Sequence, residues 1–167
     1  MEQRLLKKSS ECAPKLRVMI KMKTLQKKFS ILYFDDEEAC LDIFQQFFED
    51  EYEVRTVSTL AEARAALCEG HFDIIISDQL MPEIGGLAFL REVARNQPEA
   101  FRIMLTGSTS LSQVIVEVGV GIIQLFITKP WVEPGMRQVL ERAIMSITNR
   151  NTTSRRASES QATRNAA

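Results

Sequence analysis

Five short apolar runs, each closed or followed by a polar side chain, constrain this chain more than any other feature. They cover 30–34, 52–57, 72–77, 102–106 and 125–128. They are short for buried helices and rich in Ile, Val and Phe, so they read as strands. Segments with helical spacing separate them. Ala39, Ile43, Phe47 and Phe48 follow the first run. Thr59-Leu-Ala-Glu62 is a capping box opening an Ala-rich helix that stops near Gly70. Gly86, Leu87, Leu90, Val93 and Ala94 form a third helix ending before Pro98. A fourth is expected from about Ser110 to Glu117, loosened by Gly119 and Gly121. The last starts at Pro134 and continues through Met136, Leu140, Ala143 and Ile147. Regular alternation of strand and helix predicts an α/β fold: a doubly wound, five-stranded parallel sheet with helices on both faces.

Composition agrees with one domain. The chain has 167 residues, 45% of them hydrophobic, which suffices for a core of its own. No stretch approaches the ~20 apolar residues of a membrane span. The first 30 residues contain no apolar run of the secretory type. An odd number of cysteines (Cys12, Cys40, Cys68) and a single His71 exclude a zinc site. A reduced, cytoplasmic location is expected. Charge is uneven: residues 1–28 hold nine basic and two acidic side chains, residues 149–167 four and one, and 29–148 all the negative excess. Three segments follow. Residues 1–28 are a basic, flexible extension, with Met19 and Met22 as alternative starts. Residues 29–148 are the domain, and 149–167 a disordered polar, basic tail. The ends are expected to be solvated, binding neither membrane nor nucleic acid.

Open α/β sheets bind ligands at the carboxyl ends of their strands. Here those ends carry Asp35-Asp36, Asp78, Thr106 and Lys129. Clustered carboxylates repel one another unless a cation neutralises them, and hard oxygen donors in a wet site suit Mg2+. A Lys and a Thr beside them are donors for anionic oxygens, so the set reads as a phosphoryl site with one carboxylate as nucleophile. No Gly-rich phosphate loop is present. Taken singly, each Asp is as readily a turn or cap residue; together they coincide at four strand ends.

The Asp35-Asp36 pair, the segment from Ser77-Asp78 through Met81-Pro82 to Gly86, Leu105-Thr106-Gly107 and Thr128-Lys129-Pro130-Trp131 resemble the receiver domain of bacterial two-component response regulators, in its Lys-Pro-Trp subgroup. The resemblance covers about residues 29–148. It implies the flavodoxin-like strand order 2-1-3-4-5. It implies Asp78 as phosphoacceptor from a sensor histidine kinase or phosphotransfer protein, with Thr106 and Lys129 binding phosphoryl oxygens. Mg2+ would be held by Asp36, Asp78 and the backbone carbonyl of Leu80, with Asp35 mainly through water. Thr106 and Phe126 would be the switch pair, and Lys129–Pro130 a cis peptide. With no conventional substrate turnover, the chemistry is self-phosphorylation and slow self-dephosphorylation.

Departures from the pattern are Gly85, Leu80 and Val132 in places that are usually polar. An Asp-nucleophile phosphohydrolase would need Asp two residues after the nucleophile, where Leu80 stands. The remaining alternatives are an interaction or dimerisation module independent of phosphorylation, and a receiver fragment of a larger regulator with an output domain. If 167 residues are the whole protein, a stand-alone receiver is expected. On the helix between strands four and five, Leu111, Val114, Ile115 and Val118 form a core-facing stripe. Val116 and Val120 lie opposite. With Ile122 and Leu125 they predict an interaction face for a homodimer or an output partner.

Overall fold

Side-chain alternation along buried strands sets the layering of this computed structural model, which describes residues 28–107, 115, 116 and 118–165, without the side chains of 155 and 157–165. In β1 (Ser30–Phe34), Ile31 and Tyr33 face one layer while Leu32 and Phe34 face the other. The same period-two division holds in β3 (Ile74–Asp78) and β4 (Phe101–Thr106). A strand apolar on both faces must be covered twice. Helices α1 (Glu38–Phe48) and the last helix, α4 (Glu133–Asn165), cover the first face. Helices α2 (Leu60–Glu69) and α3 (Gly86–Asn96) cover the second. With β2 (Glu53–Val57) and β5 (Leu125–Thr128), the strands form a parallel sheet in the order β2-β1-β3-β4-β5. Both the sheet and its order match expectation.

Local signals act where expected. Thr59 Oγ1 accepts from Glu62 N at 3.2 Å, while Thr59 N donates to Glu62 Oε2 at 3.2 Å, so the capping box closes. Gly70 ends α2. Tyr33, Phe44 and Phe48 interlock between β1 and α1, with ring centroids 4.9 and 4.8 Å apart. That pairing fixes α1 against the strand that delivers the first carboxylates.

Three expectations change. Helix α4 runs on to Asn165, where composition predicts a disordered tail, so the boundary at 148 falls inside it. Between Met136 and Asn165 there is neither Gly nor Pro to interrupt the ladder, and Thr152 and Thr153 donate back to Asn149 O at 2.9 Å. Between β4 and β5, residues 115, 116, 118 and 119 are helical; Ser108, Leu111, Val114 and Glu117 lie outside the described residues, as does the extension 1–27. Val118 packs against the second core layer, but Ile115 is exposed. Finally, the interaction face narrows. Val116 and Val120 are 62% and 65% exposed, whereas Ile122 and Leu125 pack against the core. Gly121, at φ +78°, turns the chain inward before Ile122. Leu125 shares a strand face with Ile127, beneath the first helical layer.

Arg102 is a buried cation that the sequence pattern does not flag. Alternation in β4 sends it to the second face, where it is 4% exposed. Its guanidinium donates to the carbonyls of Ile122 (2.7 Å), Ala100 (2.7 Å), Pro98 (3.1 Å) and Gly121 (3.2 Å). Burial, then Arg150, lowers its pKa from the ordinary value. The clamp ties the start of β4 to the turn that feeds β5. Arg102→Met keeps the stem but orphans these carbonyls. At ~1–3 kcal/mol per unsatisfied buried group, partly relieved by water, the loss should reach about 3 kcal/mol. It should appear as a lower urea midpoint with an unchanged m-value; an unchanged midpoint would show that the clamp contributes nothing.

Candidate functional site

The two central strands end in acid. Asp35 follows β1, where its N–H donates to Val57 O at 3.3 Å, and Asp78 closes β3. Asp35 is fully buried and Asp78 is 6% exposed, while Asp36 faces solvent. One carboxylate oxygen from each lies within 4.8 Å of the others. Such a cluster is unfavourable alone. Lys129, just past β5, answers it: the ammonium stands 2.8 Å from Asp35 Oδ2 and 2.7 Å from Asp78 Oδ1. Burial alone would push its pKa down, but hydrogen bonds and attraction to both acids outweigh this and raise it. The stability this charge contributes is therefore present below the ordinary Lys value near ~10.4 and lost only as pH rises through the higher folded value. Lys129 N donates to Thr106 O at 2.8 Å, and Lys129–Pro130 is cis.

The two buried acids are held differently. Asp35 has both oxygens engaged: Tyr33 Oη donates to Oδ2 at 2.6 Å and Glu37 N to Oδ1 at 3.1 Å. The Tyr33 phenol is held well above its ordinary pKa, by burial and then by the bond to Asp35, so it remains a neutral donor. Asp78 Oδ2 accepts from Leu80 N at 2.8 Å, and Ser77 Oγ donates to the Asp78 carbonyl at 2.9 Å. Behind it, Gly86 N donates to Gln79 O at 3.0 Å. A Cβ at position 86 would lie 1.8 Å from Asp78 O, so only glycine lets α3 start this close to β3. Asp36 carries no hydrogen bond or ion pair among the described residues.

Thr106 is fully buried; its hydroxyl faces Gln79 Oε1 and the Gly107 carbonyl, and its single hydrogen serves one at a time. Gln79 thus links the residue after Asp78 to the end of β4. Leu80 is 71% exposed at the rim. Phe126 is half-buried against the second layer, opposite Leu125 and Ile127. The structure therefore brings Asp35, Asp36, Asp78 and Lys129 together. It places Thr106 beside Gln79, Leu80 outward, and Phe126 on the α3 side. Tyr33 and Gln79 were missed. A polar-tipped Tyr33 two residues before Asp35, on the same strand face, was the available signal for the first; nothing marked the second.

All donors here are oxygens, and one carboxylate is exposed and unengaged. That fits a hard divalent cation that keeps part of its water, such as Mg2+. Asp35, Glu37 and Cys40 form a second close group, but the Cys40 thiol is pushed up to about 11 by burial and by its bond to Glu37. A protonated thiol is a poor metal ligand.

The sequence profile of the response regulator receiver domain matches residues 31–141. The chain belongs to this family. The receiver is 35% identical over 118 residues to the hydrogenase transcriptional regulatory protein HoxA of Cupriavidus necator, a match covering 71% of this chain and 24% of HoxA. It is 34% identical over 92 residues to the response regulator SaeR of Staphylococcus aureus, covering 54% of this chain and 40% of SaeR. The chain thus matches under half the length of either. Among solved structures, a response regulator receiver domain protein from Clostridium thermocellum superposes with a TM-score of 0.64 at 30% identity, covering 75% of this chain and 98% of that one. A CheY-like receiver from Methanospirillum hungatei gives 0.65 at 28%, covering 76% and 99%. No helix among the described residues is long and apolar enough to cross a membrane.

Two outcomes test this geometry. Without divalent cation, Asp36→Asn should stabilise the receiver by about 1 kcal/mol, since like charges at such distances repel by that order even in a watery environment. Urea unfolding with and without Mg2+ checks it, and the advantage should shrink or reverse with the metal. Gly86→Ala should destabilise by about 1–3 kcal/mol through overpacking against Asp78. It should also weaken Mg2+ binding in calorimetry; unchanged affinity would show that the close approach does not position Asp78.

Proposed function

We propose that this receiver is a phosphorylation-controlled signalling switch in which Asp78 takes a phosphoryl group from a histidine kinase or phosphotransfer protein. The observation that carries the reading is the carboxylate trio within 4.8 Å, with Lys129 bridging its two buried members. Asp78 would attack the phosphorus: a bond from its carboxylate oxygen to phosphorus forms, the phosphorus–nitrogen bond of the donor imidazole breaks, and that nitrogen recovers a proton. Asp36, Asp78 and the Leu80 carbonyl would hold Mg2+, with Asp35 reaching it through water. The metal supplies positive charge against the phosphoryl oxygens. Lys129 would trade its contact with Asp78 for a phosphoryl oxygen, and Thr106 would leave Gln79 to donate to another.

The output would be a protein contact. Val116 and Val120 supply the apolar exposure for a second copy or an output partner; the cognate kinase and the cytoplasmic setting belong to the same proposal. The module-only alternative would use that contact without the chemistry. Acetyl phosphate with Mg2+ separates the two: the intact mass should rise by one phosphoryl group, and Asp78→Asn should abolish the adduct. Normal labelling of that variant would refute the assignment.

Turnover of the adduct should be slow. The Leu80 side chain offers no hydrogen bond to orient an attacking water, and Ser108, two residues after Thr106 in sequence, brings only a small hydroxyl. Leu80→Asn should hasten phosphate loss, followed by mass spectrometry after the acetyl phosphate is removed. Equal decay in both proteins would show that position 80 does not govern the water.

A further inference from the structure

The residue after Asp78 stands level with Thr106. The β3–β4 register pairs Asp78 with Leu105, and one step further along both strands brings Gln79 beside Thr106. Backbone bonds fix the base of the Gln79 side chain: its carbonyl accepts from Gly86 N at 3.0 Å. The neighbouring positions are held as well, since Leu80 N donates to Asp78 Oδ2 at 2.8 Å and Ser77 Oγ to the Asp78 carbonyl at 2.9 Å. From this fixed base the Gln79 amide is half-buried, and its oxygen faces the Thr106 hydroxyl.

A hydroxyl has one hydrogen to give. Thr106 is fully buried, so bulk water does not compete for that hydrogen, and the acceptors it meets are Gln79 Oε1 and the Gly107 carbonyl. As a β-branched residue at the end of a strand, Thr106 is stiff at χ1, so its Oγ1 has few positions to choose from. In the reaction proposed above, the same hydrogen goes to a phosphoryl oxygen. The Gln79 oxygen and a phosphoryl oxygen are both acceptors, so they compete for it. The Gly107 carbonyl belongs to the backbone and is there whatever the side chains are; the Gln79 amide is specific to this sequence. A bond made only in the unphosphorylated protein stabilises that state and opposes departure from it.

We infer that Gln79 is a positioning residue that latches Thr106 in the resting receiver, so that phosphorylation has to break the Thr106–Gln79 bond. Gln79 acts through Thr106, and the inference rests on the reading of Asp78 as phosphoacceptor. Its sign is opposite to that of a residue that binds the phosphoryl group: removing Gln79 helps the reaction, whereas damage to the site would slow it.

Gln79→Met keeps the unbranched stem and removes the acceptor. One net neutral hydrogen bond corresponds to a roughly two- to tenfold change, and the Gly107 carbonyl takes over part of it, so labelling by acetyl phosphate with Mg2+ should begin about threefold faster than in the wild type, read by intact mass. Gln79→Leu should do the same. In a Thr106→Val background there is no hydroxyl to latch, so Gln79→Met should change nothing there, and the double-mutant cycle isolates the pair. Mg2+ affinity in calorimetry should be equal in the wild type and Gln79→Met. Cooperative thermal unfolding of each variant confirms that the rates compare folded proteins. Equal or slower labelling in both single variants would overturn the inference while leaving Asp78 as acceptor. So would a gain that persists in the Thr106→Val background, or one matched by tighter Mg2+ binding. A wild type that takes no adduct would instead overturn the reading of Asp78, and this inference with it.

Discussion

A buried carboxylate needs a cation, and here one ammonium serves two of them. Asp35 is fully buried, and taking a carboxylate out of water costs several kcal/mol unless it is paired and hydrogen-bonded. Lys129 supplies the charge, Tyr33 and the Glu37 amide supply the remaining bonds, and the same ammonium reaches Asp78. Much of the architecture answers this requirement. The central strands β1 and β3 must be adjacent to bring the acids together. Strand β5 must end level with β4 for Lys129 to reach across, which the Thr106–Thr128 register and the bond from Lys129 N to Thr106 O ensure. The cation is shared, so its loss would leave two acids unbalanced, one of them without solvent.

Position by position, the site departs from what stability alone would select. Asp36 adds a third negative charge to a cluster that one Lys cannot neutralise. Thr106 is a buried hydroxyl whose nearest partner is a side chain, Gln79. An apolar choice at these positions would fold at least as well, so their presence fits the ligand proposed above, one that brings positive charge and anionic oxygens. Elsewhere the domain follows the ordinary rules: apolar alternation in the strands, a closed capping box at α2, and interlocked aromatics beneath α1.

Legibility from sequence followed the physics of each element. Strand positions, sheet class and the four polar strand ends were readable because burial on both faces leaves long apolar runs and makes their polar closures conspicuous. The strand order came with the family resemblance, carried by the Asp pair and the Lys-Pro segment. Arg102 was not legible, since its partners are backbone carbonyls from two loops and such contacts leave no residue pattern. Gln79 was hidden for a similar reason: one side-chain contact to Thr106 has no spacing rule. The length of α4 was misjudged because Ser, Thr and Asn lower helix propensity by only a few tenths of a kcal/mol each, and no Gly or Pro stands between Met136 and Asn165 to break the helix outright. Ile122 and Leu125 were placed outward because hydropathy does not show which way a chain leaves a left-handed glycine.

The arrangement also fixes where a change at Asp78 can go. Toward the first face there is little give, because Tyr33, Phe44 and Phe48 are fully buried and interlocked, and α4 packs Met136, Leu140 and Ala143 without exposure. Tight cores transmit strain but do not absorb it. Toward the other side, Lys129 just past β5 and Thr106 at the end of β4 are joined by one backbone hydrogen bond. β5 is the edge strand on this side, four residues long and nowhere fully buried. Its entry turn is anchored through Arg102, and Phe126 beside it is half-buried. A shift of Lys129 or Thr106 toward a new anion therefore meets least resistance along β5, whose feeding segment carries the exposed Val116 and Val120. Spatial adjacency alone does not make a pathway. Here the adjacency comes with a gradient of packing, rigid on the α1 side and loose on the β5 side, which gives a displacement its direction.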